Sequence, residues 1–69
     1  MKIEFAITDE YIELIKLLKA TGLCSMGSEA KQAVEEQLVK LNGEIELRKR
    51  AKIRKGDVVE FQKNTIVII

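Results

Sequence analysis

The sequence predicts an α+β fold in which two helices pack against one face of a small, mainly antiparallel sheet. Three features predict this arrangement: polar and apolar residues alternate at the start of the chain, apolar residues then recur twice at helical spacing, and short apolar runs separated by turn residues follow. A chain of 69 residues buries only roughly 60% of its unfolded surface, so we expect one domain, residues 1–69.

The first two elements are predicted to be a strand and a helix. From Lys2 to Ile7 the apolar residues fall on one face, as in a half-buried strand. Thr8 is placed to cap a helix, and the two acidic residues after it would lie at the positive end of the helix dipole. Apolar residues from Tyr11 to Leu18 keep helical spacing, and Gly22 is a suitable stop.

A second helix is expected to begin near Ser25 or Ser28, either of which could cap it, and to run to about Gln37. Its apolar stripe is narrow and contains small residues, which favours close packing against a neighbour. The residues expected to form this buried stripe are Ala30, Ala33, Val34 and Leu38.

Residues 39–47 are predicted to form a hairpin around an Asn-Gly pair. A two-residue turn would pair Leu41 with Glu44 and mix apolar and acidic residues on both faces. We therefore expect a three-residue loop with the glycine left-handed, which sets Lys40 across from Glu44 or Glu46.

The C-terminal part of the chain is predicted to contain two further strands. Turns at Gly56-Asp57 and Lys63-Asn64 delimit a strand from Val58 to Phe61, and Thr65 to Ile69 closes the chain as an apolar strand.

Residues for the common catalytic and metal sites are absent. With no histidine and one cysteine, the chain cannot assemble the usual nucleophile and base pairs or zinc sets. We therefore expect no enzyme activity, metal, cofactor or small-molecule substrate, and we expect Cys24 to be a packing residue. No run approaches the roughly 18 apolar residues of a membrane span, so a cytoplasmic protein without membrane contact is predicted.

Charge is unevenly distributed along the chain, although the formal net charge is only +1. Residues 1–47 carry five Lys/Arg against nine Asp/Glu, whereas residues 48–69 carry seven against two. Six of the basic residues fall between Arg48 and Lys55, where their repulsion costs folding free energy unless an anion is bound. A solubilising surface loop is the alternative interpretation.

The spacing within this basic segment favours contact with a nucleic-acid backbone. Ala51 and Ile53 can turn inward on an extended chain of period two, which leaves alternate basic residues outward. Arginine binds phosphate bidentately and lysine binds it as a point charge, so such an array would follow phosphates without reading bases. The basic residues expected to contact RNA are Arg48, Lys49, Arg50, Lys52, Arg54 and Lys55, together with Lys40 of the hairpin.

The start of the second helix is expected to add a weaker phosphate contact. Ser25, Gly27 and Ser28 leave backbone amides unblocked at the positive end of the dipole, and Lys31 lies one turn inside. Serine and glycine at such a place most often serve only as caps. Every aromatic side chain, Tyr11 included, is expected to be buried, so structured RNA fits better than extruded bases.

Five short motifs stand in order along the chain: Leu17 to Gly22, Ser25 to Lys31, Val39 to Gly43, Arg48 to Ile53, and Gly56 to Val58. Together they resemble the S-four RNA-binding domain, the module named after a small-subunit ribosomal protein. The resemblance covers nearly the whole chain and is greatest to the short stand-alone bacterial members of the YbcJ-like type.

The resemblance implies the alpha-L RNA-binding fold, in which two helices and the adjoining hairpin form a face used on ribosomal RNA or tRNA-like stems. It places Lys31, Arg48, Arg50 and Lys52 at basic positions of the family. The pair Met26-Gly27 departs from the Ser-Arg pair of many larger members, which lowers the contribution expected from the second helix. We therefore expect a monomer that binds ribosomal or ribosome-associated RNA and carries no catalytic domain.

Two other functions are compatible with parts of the sequence. A β-grasp sulfur carrier also begins with a strand and a helix and has Asn-Gly and Gly-Asp-Val motifs, but it needs a C-terminal Gly-Gly, whereas this chain ends Ile66 to Ile69. A module that docks an acidic protein through the basic segment is the second alternative.

Overall fold

The structure, a computed structural model, describes residues 1–69 and contains seven strands and two helices. The strands are Lys2–Phe5 (β1), Ile12–Glu13 (β2), Val39–Leu41 (β3), Glu44–Ile45 (β4), Lys52–Ile53 (β5), Val58–Phe61 (β6) and Asn64–Ile68 (β7), and the helices are Leu14–Ala20 (α1) and Gly27–Glu35 (α2). Five strands form one sheet in the order β1-β7-β6-β3-β4, and β2 pairs with β5 in a separate ladder. Only β1 and β7 pair in parallel, so the predicted two helices on a mainly antiparallel sheet are confirmed.

The helices and the sheet share one continuous hydrophobic core. Each large apolar side chain buried in it contributes roughly 1.5–3 kcal/mol to folding. The helices contribute Leu14, Leu17, Leu18, Ala30, Ala33 and Val34, and the sheet contributes Val39, Val59, Phe61, Ile66 and Ile68. Both helices are much shorter than the roughly 20 residues needed to cross a bilayer.

The first helix begins at Leu14 and not directly after Thr8, as the sequence predicted. Thr8 caps no helix and lies in an exposed bend, while Ile12–Glu13 form β2 and pair antiparallel with Lys52–Ile53. This pairing with a distant segment overrides the local helical spacing. The predicted helix end is correct, since Gly22 adopts a left-handed φ of +81° just beyond it.

The second helix is confirmed, but its ends differ from the prediction. Neither Ser25 nor Ser28 caps it, because the N-cap residue is Met26 and no side chain bonds to the first turn from that position. At the other end Gln37 adopts a φ of +61° in a Schellman-type turn. The turn directs Leu38 away from the helix stripe, so Leu38 is 49% exposed and its expected burial was wrong.

The β3–β4 hairpin has the two-residue Asn-Gly turn that was expected not to form. Lys40 pairs with Ile45, and Asn42 and Gly43 have φ values of +52° and +88°, which are typical of a type I′ turn. The predicted pairing of Lys40 with Glu44 or Glu46 was therefore wrong. Because β4 is a short edge strand with both residues exposed, this register places no carboxylate in the core.

Cys24 lies in the core, as predicted, and is 2% exposed. Burial, followed by the negative charge and hydrogen bond of Glu29, raises the pKa of its thiol. Since the thiolate is the reactive form, a thiol reagent at neutral pH should label the native chain orders of magnitude more slowly than the unfolded chain. Rapid labelling without denaturant would contradict the packing role of Cys24.

Candidate nucleic-acid interface

The segment Arg48 to Lys55, called the basic ridge below, alternates between core and surface as the sequence predicted. It is not extended throughout, because Lys49 and Arg50 form a turn in which the Ala51 N–H donates to the Arg48 carbonyl at 3.2 Å. Ala51 is 3% exposed and Ile53 is 0% exposed. Lys49 is partly buried, and the exposed cations are Arg48, Arg50, Lys52, Arg54 and Lys55. Buried apolar residues therefore anchor the segment that carries the exposed charges.

The amino end of α1 fixes the middle of the basic ridge. The Leu14 N–H donates to the Ala51 carbonyl at 2.9 Å, and the Ile15 N–H donates to the Lys49 carbonyl at 3.3 Å. Since no side chain caps α1, these carbonyls satisfy amides that a cap would otherwise bond. The ridge thus replaces the helix cap, and the helix holds the ridge in a defined position.

The carboxylate of Asp57 fixes the C-terminal end of the ridge. Its Oδ2 accepts the Arg54 N–H at 2.8 Å, and its Oδ1 accepts the amide Nδ2 of Asn42 at 3.2 Å. Asn42 in turn accepts the Val58 N–H at 2.9 Å through Oδ1. The hairpin turn and the ridge end are therefore tied together, which reduces the conformational freedom that the ridge would lose on binding.

Two ridge cations are neutralised within the molecule. The Arg48 guanidinium donates from Nε and Nη2 to the two oxygens of Glu46, both at 3.1 Å, and the Lys49 Nζ contacts the Glu35 carboxylate. The hydrogen bond from Arg48 lowers the pKa of Glu46, and the hydrogen bond from Lys49 lowers the pKa of Glu35. Both carboxylates are thus ionised at neutral pH and compete with any anion for these cations.

Four ridge cations have no carboxylate within 4.0 Å: Arg50, Lys52, Arg54 and Lys55. They lie in the last six of the eight ridge residues and are all exposed. These four side chains are therefore available to an external anion without first breaking an ion pair.

Tyr11 lies beside these cations, and its expected burial was wrong. The side chain is 38% exposed, with the Lys52 Nζ 5.0 Å and the Arg54 Cζ 6.0 Å from the ring centroid. The pairing of β2 with β5 brings the residue before β2 alongside the ridge. No local pattern marks this contact, because it depends on two segments far apart in sequence.

Lys31 lies on the face of α2 that carries Glu35, the helix residue in contact with the ridge. Lys31 and Glu35 are one turn apart on one helix face, and Glu35 contacts Lys49 of the ridge. The charge of Lys31 also contributes to the lowered pKa of Glu35. Gly27 and Ser28 lie one turn before Lys31, so this helix face leads from the helix start to the ridge.

The helix start itself holds a carboxylate of the same chain. The backbone N–H and the Oγ of Ser25 both donate to the Glu29 side chain at 3.3 Å. Because this carboxylate stands where a phosphate would approach, the helix start is a weaker anion site than its amides alone would provide.

Lys40 does not join the other predicted residues. Its neighbours in β3 face the core, so Lys40 lies on the outer face of the sheet, paired across from Glu60 of β6. It forms no part of the surface built by the ridge and α2.

Residues 5–69 match the S4 domain family. YbcJ of Escherichia coli (strain K12) is 39% identical over 59 residues, which span 86% of this chain and 84% of that protein, and YbcJ of Shigella flexneri matches to the same extent. The solution structure of YbcJ from Escherichia coli superposes with a TM-score of 0.74 at 36% identity, over 96% of this chain and 85% of that chain. That structure is described as revealing an alpha-L motif involved in RNA binding.

Proposed function

This chain belongs to the S4 domain family, and from that membership we propose that it binds structured RNA without catalysing a reaction. The sequence and fold matches support this function over that of a β-grasp sulfur carrier. The bound RNA is a ribosomal RNA or a tRNA-like stem, and residues 1–69 act in the cytoplasm as one monomeric domain, in association with ribosomes.

One observation carries the proposal: the basic ridge presents four cations that form no ion pair, on a backbone anchored at Ala51 and Ile53. Holding like charges together costs folding free energy, and a polyanion offsets that cost. Because the anchors reduce the freedom of the segment before binding, less entropy is lost when phosphates dock along it. Such an array contacts the backbone of the RNA and leaves base identity unread.

The proposed site has a principal part and two lesser parts. Phosphates lie along the unpaired half of the ridge, while the remaining two ridge cations must first leave Glu46 and Glu35. Lys31 extends the surface along α2, and Lys40 meets only an RNA that reaches the outer face of the sheet. The residues proposed to contact RNA are Arg50, Lys52, Arg54 and Lys55 first, then Arg48, Lys49 and Lys31, and last Ser25, Gly27, Ser28 and Lys40.

The dependence of RNA affinity on salt concentration tests this function. If the four unpaired cations each neutralise one phosphate of a labelled stem-loop, the log-log slope of affinity against salt should be about −3.6. Poly-glutamate, a competitor that is negatively charged like RNA but carries no phosphate, should displace the RNA poorly. A flat salt response would contradict phosphate binding, and efficient displacement by poly-glutamate would favour the docking of an acidic protein instead.

Removing the carboxylate that masks Lys49 should tighten RNA binding. In Glu35→Gln, Lys49 is released to contact one more phosphate, so affinity should rise by up to about eightfold near 0.1 M salt, and the salt slope should steepen by about 0.9. Glu36→Gln is the matched control. It removes the same negative charge, but Glu36 accepts a hydrogen bond from Gln32 and contacts no cation. Equal gains in the two variants, measured by fluorescence anisotropy, would mean that Lys49 gains no phosphate contact.

A further inference from the structure

A groove of about 620 Å³ opens between the connection from β1 to β2 and the start of α1. Its volume falls within the range of roughly 300–1,000 Å³ that is typical of small-molecule pockets. Its apolar lining residues are Phe5, Ala6, Ile7, Tyr11 and Ile12. The groove therefore offers a planar apolar ligand both aromatic and aliphatic contacts.

Tyr11 borders both this groove and the basic ridge. Tyr11 lines the groove, whereas Lys52 and Arg54, which lie 5.0 Å and 6.0 Å from the ring centroid, do not. Tyr11 lines the groove and is 38% exposed, so part of the residue stays accessible to a stacking partner although two cations lie near its ring. A planar group stacked on Tyr11 from the groove would thus have unpaired cations within a few ångströms of it.

The rim of the groove favours a nucleobase over a phosphate. Asp9, Glu13 and Lys16 line it, and the only ion pair among them joins the Lys16 Nζ to Glu13 at 3.9 Å, which leaves the Asp9 carboxylate without a cation partner. Carboxylates repel phosphate oxygens but accept hydrogen bonds from the amino and imino N–H groups on base edges. Charge therefore divides the surface into a cationic part for the backbone and an acidic, apolar part for a base.

From this juxtaposition we propose that the groove receives one unpaired nucleobase of the RNA, stacked on Tyr11, while the adjacent phosphates lie on Lys52 and Arg54. The inference rests on the proposed function and narrows its substrate class. The target is a stem that carries a bulged or flanking unpaired nucleotide, and not a continuous duplex. It also revises the expectation that structured RNA fits better than extruded bases, which assumed that Tyr11 is buried.

Two matched RNA hairpins test the proposal, one fully paired and one with a single bulged adenosine. The native chain should bind the bulged hairpin at least about fivefold more tightly, since base–aromatic stacking is worth about 1–3 kcal/mol per base. Tyr11→Leu should lose this preference, whereas Tyr11→Phe, which keeps the ring, should retain it. Circular dichroism of both variants verifies that they are folded.

A direct readout is available because Tyr11 is the only tyrosine in the chain, and the chain has no tryptophan. In protein labelled with 3-fluorotyrosine, the single ¹⁹F resonance should shift on addition of the bulged hairpin and move little with the paired one. A ¹⁹F resonance that shifts equally with both hairpins, or a preference for the bulged hairpin that persists in Tyr11→Leu, would contradict base binding in the groove. Failure of the proposed function looks different, because neither hairpin would then bind with a salt-dependent affinity.

Discussion

Replacing Arg50, Lys52 and Arg54 together with alanine should weaken binding to a structured RNA by up to about 500-fold at about 0.1 M salt and make the log-log salt slope shallower by about 2.7. These side chains form no ion pair, so their removal takes phosphate contacts away without breaking an ion pair of the fold. The fold should remain intact, because all three are exposed. Titrations at several salt concentrations measure both effects.

The triple change Lys2, Lys19 and Lys63 to alanine is the matched control. These lysines are exposed, form no ion pair and lie in β1, α1 and the turn between β6 and β7. The control lowers the net charge by the same amount but leaves the ridge untouched, so affinity should fall far less. Equal losses in the two variants would show that overall charge, and not the ridge, attracts the RNA.

Ile53→Ala should lower the free energy of unfolding by about 2–5 kcal/mol. Ile53 is 0% exposed and pairs with Ile12 across the ladder that holds the ridge to the start of α1. Its truncation leaves a cavity at this junction, and the loss is a large share of the roughly 5–15 kcal/mol that stabilises a typical domain. Chemical denaturation measures the change.

Lys55→Ala serves as the control for this stability measurement. Lys55 lies two residues away and is exposed, so its loss should change stability by less than about 0.5 kcal/mol. If Ile53→Ala also cost less than about 1 kcal/mol, Ile53 would not be the anchor of the ridge.

The orientation of the basic ridge could be predicted because it follows from local alternation. Ala51 and Ile53 are apolar residues flanked by charged ones, and both turn inward as predicted. The turn at Lys49 and Arg50, which interrupts the expected extended backbone, was not predicted. The helices were likewise predictable from their spacing, apart from their ends. Gly22 marks the end of α1, whereas α2 ends at a left-handed Gln37, a residue type that gives no such signal in the sequence.

The start of α1 and the position of Tyr11 could not be predicted, because both depend on the pairing of β2 with β5. A segment with helical spacing became a strand at Ile12–Glu13 because a distant segment supplied its hydrogen bonds. The same pairing brings Tyr11 to Lys52 and Arg54. Sequence patterns report which residues of one element share a face, but not which distant element will cover them.

The predicted hairpin register was wrong because the distribution of apolar and polar residues between the two faces of the hairpin does not determine it. The expectation assumed that each face of the hairpin must be uniformly apolar or polar, yet β4 is an exposed edge where that requirement does not hold. The Asn-Gly pair, which strongly favours a type I′ turn, therefore determined the register.

Of the two ion pairs that neutralise ridge cations, one could be predicted from the sequence and the other could not. Glu46 stands two residues before Arg48, close enough for its pairing to be considered from the sequence. Glu35 reaches Lys49 from another element, so that contact requires the tertiary structure. Counting six basic residues thus overstates the charge that the ridge offers to a partner.

Ultraviolet cross-linking in living cells, followed by sequencing of the bound RNA and identification of the modified peptides, tests the proposed function most directly. We expect RNA to be the principal cross-linked partner, with a stem as the recovered sequence and with the modified residues in the ridge or at Tyr11. Recovery of protein partners without RNA, or cross-links confined to the outer face of the sheet around Lys40, would contradict RNA binding by the ridge.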